Sequence, residues 1–177
     1  RDNKFANMLY INNGISKSED GSDRVTFTEK ATEFGLADAN RGIQSTFFDY
    51  DLDGDLDLYV SNAPDFQDKG TEVLDLKALA KSADTPKQKG SDQLYQNNGD
   101  GKFVNRSAQA GILPDLAFGL NPQVGDLNND GWPDIYVCND FRMPDFAYIN
   151  NGDGAFREGR NELVKHMSFN SMGGEIA

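Results

Sequence analysis

Two acidic segments that repeat each other constrain the fold of this chain more than any other feature. Residues 48–62 and 125–139 align without gaps, and each contains an aspartate-rich loop followed by a short apolar run. A second motif, an aliphatic residue followed by Tyr-x-Asn-Asn-Gly, occurs at residues 9–14, 94–99 and 147–152. The two motifs alternate along the chain. Internal repetition of this kind predicts an architecture built from several copies of one supersecondary unit.

Each repeated unit is expected to contain four antiparallel strands. The run after each acidic loop, Leu56 to Val60 and Ile135 to Cys138, is apolar on both faces, which indicates a strand buried on both sides. Recurring Asn-Gly and Asp-Gly pairs favour hairpin turns, because such turns need residues with positive φ. Four antiparallel strands per repeat describe the blade of a β-propeller. The sequence therefore predicts an all-β fold made of propeller blades.

The predicted blades divide the chain unevenly. Residues 5–28 are interpreted as the last strands of one blade, 43–107 as a blade with an insert at 63–92, 117–158 as another blade, and 169–177 as the start of the next. Propellers close with about four to eight blades. We therefore expect residues 1–177 to be part of one propeller, within a longer chain or a surface complex.

The spacing of oxygen-bearing side chains in both loops predicts a metal site. They occupy positions 1, 3, 5 and 9, and glycine occupies position 6. The first positions follow the EF-hand loop, in which alternate side chains converge on calcium, glycine makes the sharp turn and position 7 offers its carbonyl. We predict two Ca²⁺ sites, the carbonyls coming from Asp55 and Trp132. The predicted ligands are Asp49, Asp51, Asp53, Asp55 and Asp57 in the first loop, and Asp126, Asn128, Asp130, Trp132 and Asp134 in the second.

Magnesium and the transition metals suit the acidic loops less well than calcium does. Magnesium demands a tight octahedron, and transition metals prefer His or Cys ligands, which the loops lack. Ordinary acidic turns are the plain alternative to a metal site. Two copies in register, each entering the same apolar strand, argue against it. Clustered carboxylates also repel each other unless a cation is bound.

Composition excludes several classes of function. The net charge of −12 opposes binding to the phosphate backbone of nucleic acid, so no nucleic-acid partner is expected. The single cysteine, Cys138, rules out a disulfide within the chain and lies in an apolar run typical of a buried thiol. No stretch approaches the length of a membrane helix. No signal-peptide core follows Arg1, which fits a cytosolic chain, a removed signal or an internal fragment.

The two motifs together resemble a known repeat. The sequence Asp-x-Asp-x-Asp-Gly-x-x-Asp-Leu-Tyr-Val, with the later Leu-Tyr-x-Asn-Asn-Gly-Asp-Gly-x-Phe, is similar to the FG-GAP/VCBS repeat of integrin α-subunits and many secreted bacterial proteins. Residues 136–141, 144–145 and 150–156 resemble the ASPIC/UnbV subgroup, which includes cartilage acidic protein. Residues 166–173 resemble large surface proteins of Bacteroidetes. The resemblance departs at the insert and at residues 12–16, where a longer turn replaces the usual Asp-Gly.

The resemblance implies a propeller module outside the cell or on its surface, associated with the outer membrane in a bacterium. We expect a non-catalytic, calcium-binding module that binds a protein or glycan, mediates adhesion or acts as a scaffold. The alternative is the propeller portion of a calcium-dependent secreted enzyme, such as a polysaccharide lyase. A lyase needs a base and cations that converge in a cleft. His166 is the lone histidine, and no acid–base motif accompanies it.

The insert at 63–92 is the expected partner-contact element. A short helix is predicted over about residues 71–82, where the apolar side chains recur on one side. Lysines concentrate positive charge here in an otherwise acidic chain, which would suit an acidic protein or an anionic glycan. A solvated loop that packs on its own blade is the alternative. The lysines are Lys69, Lys77, Lys81, Lys87 and Lys89.

Overall fold

The computed structural model of the chain describes residues 6–64, 90–115, 117–140, 143–168 and 170–176. These residues form ten β-strands and two four-residue helices, which confirms the expected all-β class. Neither helix is long and apolar enough to span a membrane. The strands are β1 (Tyr10–Lys17), β2 (Asp23–Glu29), β3 (Arg41–Phe48), β4 (Asp57–Ala63), β5 (Gln93–Asn97), β6 (Phe103–Asn105), β7 (Phe118–Gly125), β8 (Asp134–Asp140), β9 (Phe146–Asn150) and β10 (Phe156–Glu158); the helices are α1 (Ala31–Phe34) and α2 (Arg160–Leu163).

Two four-stranded antiparallel sheets form the body of the molecule. Strands β3 to β6 pair in chain order and are called blade A, and β7 to β10 pair in the same order and are called blade B. The blades repeat even their irregularities. The first strand pair of each has a register shift, between Gly42 and Gln44 in blade A and between Gly119 and Asn121 in blade B. The two sheets are therefore copies of one design, as the propeller prediction requires.

Burial on both faces explains the apolar composition of the second strand in each blade. Every residue of β4 is buried, and Ile135, Val137 and Cys138 are buried in β8. The predicted burial of the run from Leu56 to Val60 is wrong at its first residue, because Leu56 lies before β4 and is 56% exposed. The strand begins at Asp57, whose carboxylate is buried instead of a leucine side chain.

Blade B covers one face of blade A, and the segment around α1 covers the other. The shared core between the blades contains Phe48, Tyr50, Tyr59 and Leu94 from blade A, with Ile135, Val137, Phe146, Tyr148 and Phe156 from blade B. The opposite face of blade A presents Leu58, Val60 and Tyr95 to Ala31 and Leu36. Because successive residues of a strand face opposite sides, β4 contributes to both cores.

The links between sheets are fixed at glycines. A β-carbon at Gly35 would lie 2.6 Å from the carbonyl oxygen of Phe103, and one at Gly111 would lie 2.5 Å from that of Phe156. Both glycines also have positive φ, so a side chain would be excluded by contact and by backbone conformation. Beside Gly111, the amide of Phe156 donates to the carbonyl of Ala110 at 2.7 Å. Each of these two links therefore packs against the outermost strand of a blade.

The described termini differ from the sequence-based expectation in two places. Residues 12–16 do not form a turn: β1 continues through them with a register shift between Asn12 and Ile15, and the hairpin closes at Ser18–Ser22. Residues 170–176 contain no strand where the start of another blade is expected, although Asn170 forms an isolated bridge with Asp140. The helix predicted over about residues 71–82 lies outside the described residues.

Candidate metal loops

Loop 1 (residues 49–57) joins β3 to β4, and loop 2 (residues 126–134) joins β7 to β8. The two loops have the same backbone course. The fourth residue of each, Leu52 or Asn129, has a left-handed conformation, with φ of 56° and 59°. The glycine at position 6, Gly54 or Gly131, has φ of 97° or 92°. Glycine is favoured at this position because a side chain there would be strained.

The acid at position 1 holds each loop in shape. Asp49 accepts hydrogen bonds from the amides of Asp53 at 3.1 Å and Gly54 at 3.0 Å. Asp126 accepts the corresponding bonds from Asp130 and Gly131 at 3.0 and 2.9 Å. The carboxylate therefore satisfies two backbone donors that the sharp turn leaves without partners in the sheet.

The acid at position 9 joins the two sequence motifs. Asp57 is fully buried and accepts from the amides of Tyr50 at 3.0 Å and Asn97 at 2.8 Å. Asp134 is buried in the same way and accepts from Leu127 at 2.9 Å and Asn150 at 2.8 Å. Since Asn97 and Asn150 open the Asn-Asn-Gly turns, each turn is fixed to the loop of its own blade.

Loop 1 brings three carboxylates together. One carboxylate oxygen from each of Asp49, Asp51 and Asp57 lies within 4.8 Å of the other two. In the described part of the chain, no other set of three or more His, Cys, Asp or Glu side chains converges this closely. Asp51 also has an oxygen, Oδ1, that is buried without a hydrogen-bond partner. Burial, together with the charges of Asp51 and Asp53, raises the pKa of Asp57 to about 6, although the hydrogen bonds from Asn97 and Tyr50 act to lower it. This is an arrangement that a bound cation would stabilise.

Loop 2 is more open. The carboxylate oxygens of Asp126, Asp130 and Asp134 do not all lie within 4.8 Å of one another. Asp134 is buried, whereas the oxygen-bearing residues at positions 1, 3 and 5 of this loop are exposed. The side-chain amide of Asn128 donates to Asp130 Oδ2 at 2.7 Å. Burial, with added repulsion from Asp130 and Asp126, raises the pKa of Asp134. Loop 2 has the oxygen donors for a cation, but with less negative charge near one point.

The remaining predicted ligands lie at the edge of the loops. Asp53 and Asp130 each accept from the amide two residues ahead, at 2.9 Å. A carboxylate oxygen of Asp55 would lie 2.7 Å from a β-carbon at Gly99, and the indole of Trp132 stands in the equivalent position against Gly152. The position-7 side chains thus cover the Asn-Asn-Gly turns. The predicted partner-binding lysines at 69, 77, 81, 87 and 89 lie outside the described residues.

One repeated polar site was missed by the sequence analysis. Asp92 Oδ2 accepts from the hydroxyl of Tyr59 at 2.7 Å, and Oδ1 accepts from the amide of Asn62 at 2.8 Å. Asp145 makes the same two bonds to Tyr136 and Asn139, both at 2.8 Å. The available signal is an aspartate three residues before the tyrosine of each complete Asn-Asn-Gly motif. These aspartates fasten the third strand of each blade to the second.

Comparison with protein families matches two stretches of the chain, residues 82–137 and 126–176, to the FG-GAP-like repeat. Together they cover more than half of the 177 residues. The chain belongs to the FG-GAP-like repeat family. FG-GAP repeats are generally propeller modules of extracellular adhesion and binding proteins, and the two four-stranded sheets agree with that architecture. No curated protein matches the chain.

Proposed function

We propose that this FG-GAP-repeat chain is a calcium-binding module of an extracellular or cell-surface propeller, which binds a protein or glycan or serves as a scaffold. The observation that carries the calcium proposal is the convergence of Asp49, Asp51 and Asp57 in loop 1, beside a buried Asp51 oxygen without a partner. Carboxylate and carbonyl oxygens in a flexible loop are the ligands that Ca²⁺ prefers. The ion would supply positive charge that holds the loop between the first two strands.

Loop 2 supports the same proposal through its repeated geometry. Its position-1 and position-9 acids make the same backbone hydrogen bonds as those of loop 1. It offers fewer carboxylates, since Asn128 stands where loop 1 has Asp51. Ligand charge tunes calcium affinity, so loop 1 is expected to bind more tightly. The narrower ASPIC/UnbV membership and a Bacteroidetes surface origin remain proposals from the sequence resemblance.

A binding role without catalysis is the accompanying proposal. His166 is exposed, and the buried carboxylates Asp57, Asp92, Asp134 and Asp145 are engaged by backbone or tyrosine donors. An exposed histidine without a partner motif is a weak candidate for a general base. Turnover of a polysaccharide or phosphoester by this chain, abolished by His166→Ala, would contradict the proposal.

Calcium binding is tested by calorimetric titration of chelator-treated protein and by thermal melting. We expect two binding events with dissociation constants of about 10⁻⁴–10⁻³ M, the range of extracellular modules. Calcium at about 100 times the dissociation constant of a loop should add about 2.7 kcal/mol to the free energy of unfolding. Absence of both calcium uptake and a rise in melting temperature would defeat the proposal.

Asp51→Asn is the informative variant, because it gives loop 1 the residue type found at Asn128. We expect it to weaken the tighter calcium site about tenfold through loss of ligand charge. Asp100→Asn is the matched control: Asp100 is exposed in the Asn-Asn-Gly-Asp-Gly turn of the same blade and accepts from the amide of Lys102. The control should leave both affinities unchanged.

A further inference from the structure

Two side chains outside loop 1 form a hydrogen-bonded chain to one of its carboxylates. The Nε of Arg106 donates to Oε1 of Gln96 at 3.0 Å. The Nε2 of Gln96 in turn donates to Oδ2 of Asp51 at 2.7 Å. Gln96 lies on β5, and Arg106 directly follows β6, so both are carried by the sheet rather than by the loop.

This chain of donors fixes which way each group points. The guanidinium of Arg106 can only donate, so it selects the oxygen of the Gln96 amide and turns the amide nitrogen toward Asp51. Asp51 then uses Oδ2 for Gln96, and its Oδ1 is buried without a hydrogen-bond partner. One oxygen of the carboxylate is thus anchored while the other stays available for a ligand.

Blade B lacks both members of this chain. The residues equivalent to Gln96 and Arg106, counted from the Asn-Asn-Gly motifs, are Ile149 and Gly159. Both positions differ between the blades, and in blade B they contact each other: a β-carbon at Gly159 would lie 2.5 Å from Cγ1 of Ile149, so the isoleucine side chain fills the space that a side chain at 159 would need. At the loop, Asn128 stands in place of Asp51. Blade A therefore contains both the hydrogen bonds from Arg106 through Gln96 and the carboxylate of Asp51 that they reach, whereas blade B contains neither.

We infer that Gln96 and Arg106 are positioning residues for a cation in loop 1, and that they make the two loops unequal in affinity. This inference rests on the proposed calcium function. Asp51 belongs to the loop, and its hydrogen bond to the sheet limits the orientations of its carboxylate before the ion arrives. An anchored ligand loses less conformational entropy on binding.

The positive charge of Arg106 acts in the opposite direction, because it repels a cation. This repulsion is weakened by distance, because Gln96 lies between the guanidinium and the carboxylate of Asp51. Outer partners of metal ligands typically contribute about 10–100-fold to metal affinity. We therefore expect positioning to outweigh repulsion, so that loss of the hydrogen bond to Asp51 weakens calcium binding.

The experiment measures the two loops separately in the full chain. Calcium affinity is determined by calorimetry, and terbium luminescence sensitised by Trp132, the single tryptophan, reports loop 2. We expect Gln96→Leu to weaken the tighter calcium site about tenfold and to leave the Trp132-sensitised terbium titration unchanged. Arg106→Lys keeps the charge but cannot hold the amide in the same planar geometry, and it should weaken the same site by a smaller factor.

Gln93→Leu is the matched control. Gln93 lies on the same strand; its side-chain amide donates to the carbonyl of Ser91 and accepts from Asn105 and Ser107, none of which belongs to loop 1. It should change neither titration. Two outcomes separate the failures: no calcium uptake by the unmodified chain defeats the proposed function itself, whereas intact uptake with an unchanged or stronger loop 1 site in both Gln96→Leu and Arg106→Lys overturns only the positioning inference.

Discussion

Leu52 and Asn129 occupy the same position in the two loops and adopt the same backbone conformation, but the conformation is more costly for leucine. Both adopt left-handed φ, of 56° and 59°. This conformation costs an L-residue with a branched or bulky side chain roughly 1–2 kcal/mol, while asparagine tolerates it through local hydrogen bonding. Leu52 gains little in return, since its side chain is 53% exposed. Loop 1 therefore contains strain that loop 2 avoids.

Leu52→Asn should stabilise the protein by about 1 kcal/mol, because it relieves this strain with little loss of burial. Urea denaturation in chelator provides the measurement. Leu56→Asn is a suitable control, since Leu56 is similarly exposed at 56% and does not have positive φ. Equal effects of the two substitutions would show that removal of an exposed leucine, and not relief of backbone strain, explains any gain.

For individual residues, the sequence predicts where some candidate ligands lie along the chain, but it does not predict which distant residues contact them. The spacing of Asp49, Asp51 and Asp57 is sufficient to place three carboxylates in one loop. It cannot show that Asp55 turns toward Gly99, because that contact depends on a turn more than forty residues away. The link from Gln96 to Asp51 is hidden for the same reason, since it joins β5 to a loop between two other strands.

Among the elements, Asp115 in the link into blade B forms a buried acid pair with Asp92, which directly precedes β5. Asp115 accepts from the amides of Asp92 at 3.1 Å and Ala117 at 2.9 Å, and Ser91 donates to its carbonyl at 2.9 Å. Both carboxyls are almost fully buried. Burial raises the pKa of Asp92 to about 7, and burial together with the charge of Asp92 raises the pKa of Asp115 well above its usual value. The pair therefore retains a proton near neutral pH.

This pair predicts that stability falls as pH rises from about 4 to about 7 in the metal-free protein. Over that window the unfolded chain has released protons that the folded pair still binds, so the free energy of unfolding decreases with pH. The expected loss is on the order of 3 kcal/mol, at about 1.4 kcal/mol for each pKa unit. Chemical denaturation at several pH values, with chelator present, measures it.

Asp92→Asn should reduce this pH dependence, because residue 92 no longer titrates and its charge no longer raises the pKa of Asp115. The amide can still accept from the backbone of Asn62 and donate to the hydroxyl of Tyr59. Asp145→Asn is the matched control in blade B: Asp145 makes the same two bonds, and its further partner is the hydroxyl of Ser171 rather than a second acid. An unchanged slope in Asp92→Asn would mean that different groups, such as Asp57, produce the effect.

Element boundaries are predicted less well than element types. The four-strand repeat follows from the alternating motifs, yet the strand expected from Leu56 begins at Asp57. The Asn12–Gly14 motif is expected to bend the chain because the same motif does so in both blades. In β1 it makes the same local bond, from the amide of Gly14 to Asn12 Oδ1 at 2.8 Å, within a continuing strand. The local motif is preserved, and the turn moves to where Gly21 supplies positive φ.

For the whole molecule, the two blades are joined by polar bonds as well as by their shared core. The side-chain amide of Asn150 donates to the carbonyl of Tyr50 at 2.8 Å, so the turn of blade B contacts the loop of blade A. The hydroxyl of Thr46 donates to the carbonyl of Pro122 at 3.2 Å between the first strands. A cation in loop 1 would therefore stabilise the contact between blades as well as one hairpin.

The other face of blade A is incompletely covered. Met8, Ile43 and Phe47 are 68%, 47% and 48% exposed, and they line an apolar groove of about 250 Å³ with Leu58 and Val60. Adjacent exposed apolar side chains promote association in water. We therefore expect the 177-residue chain to bind an apolar dye and to self-associate with increasing concentration, even when calcium is bound.

Ile43→Thr should weaken this association about fivefold, because it removes apolar area from the groove while keeping a β-branched residue on the strand. Sedimentation velocity across a concentration series measures the association, and dye fluorescence reports the exposed groove. Val25→Thr is the control, since Val25 is 50% exposed on the separate β1–β2 sheet. If the chain stays monomeric at every concentration, or if both variants behave alike, the exposed face of blade A does not drive association.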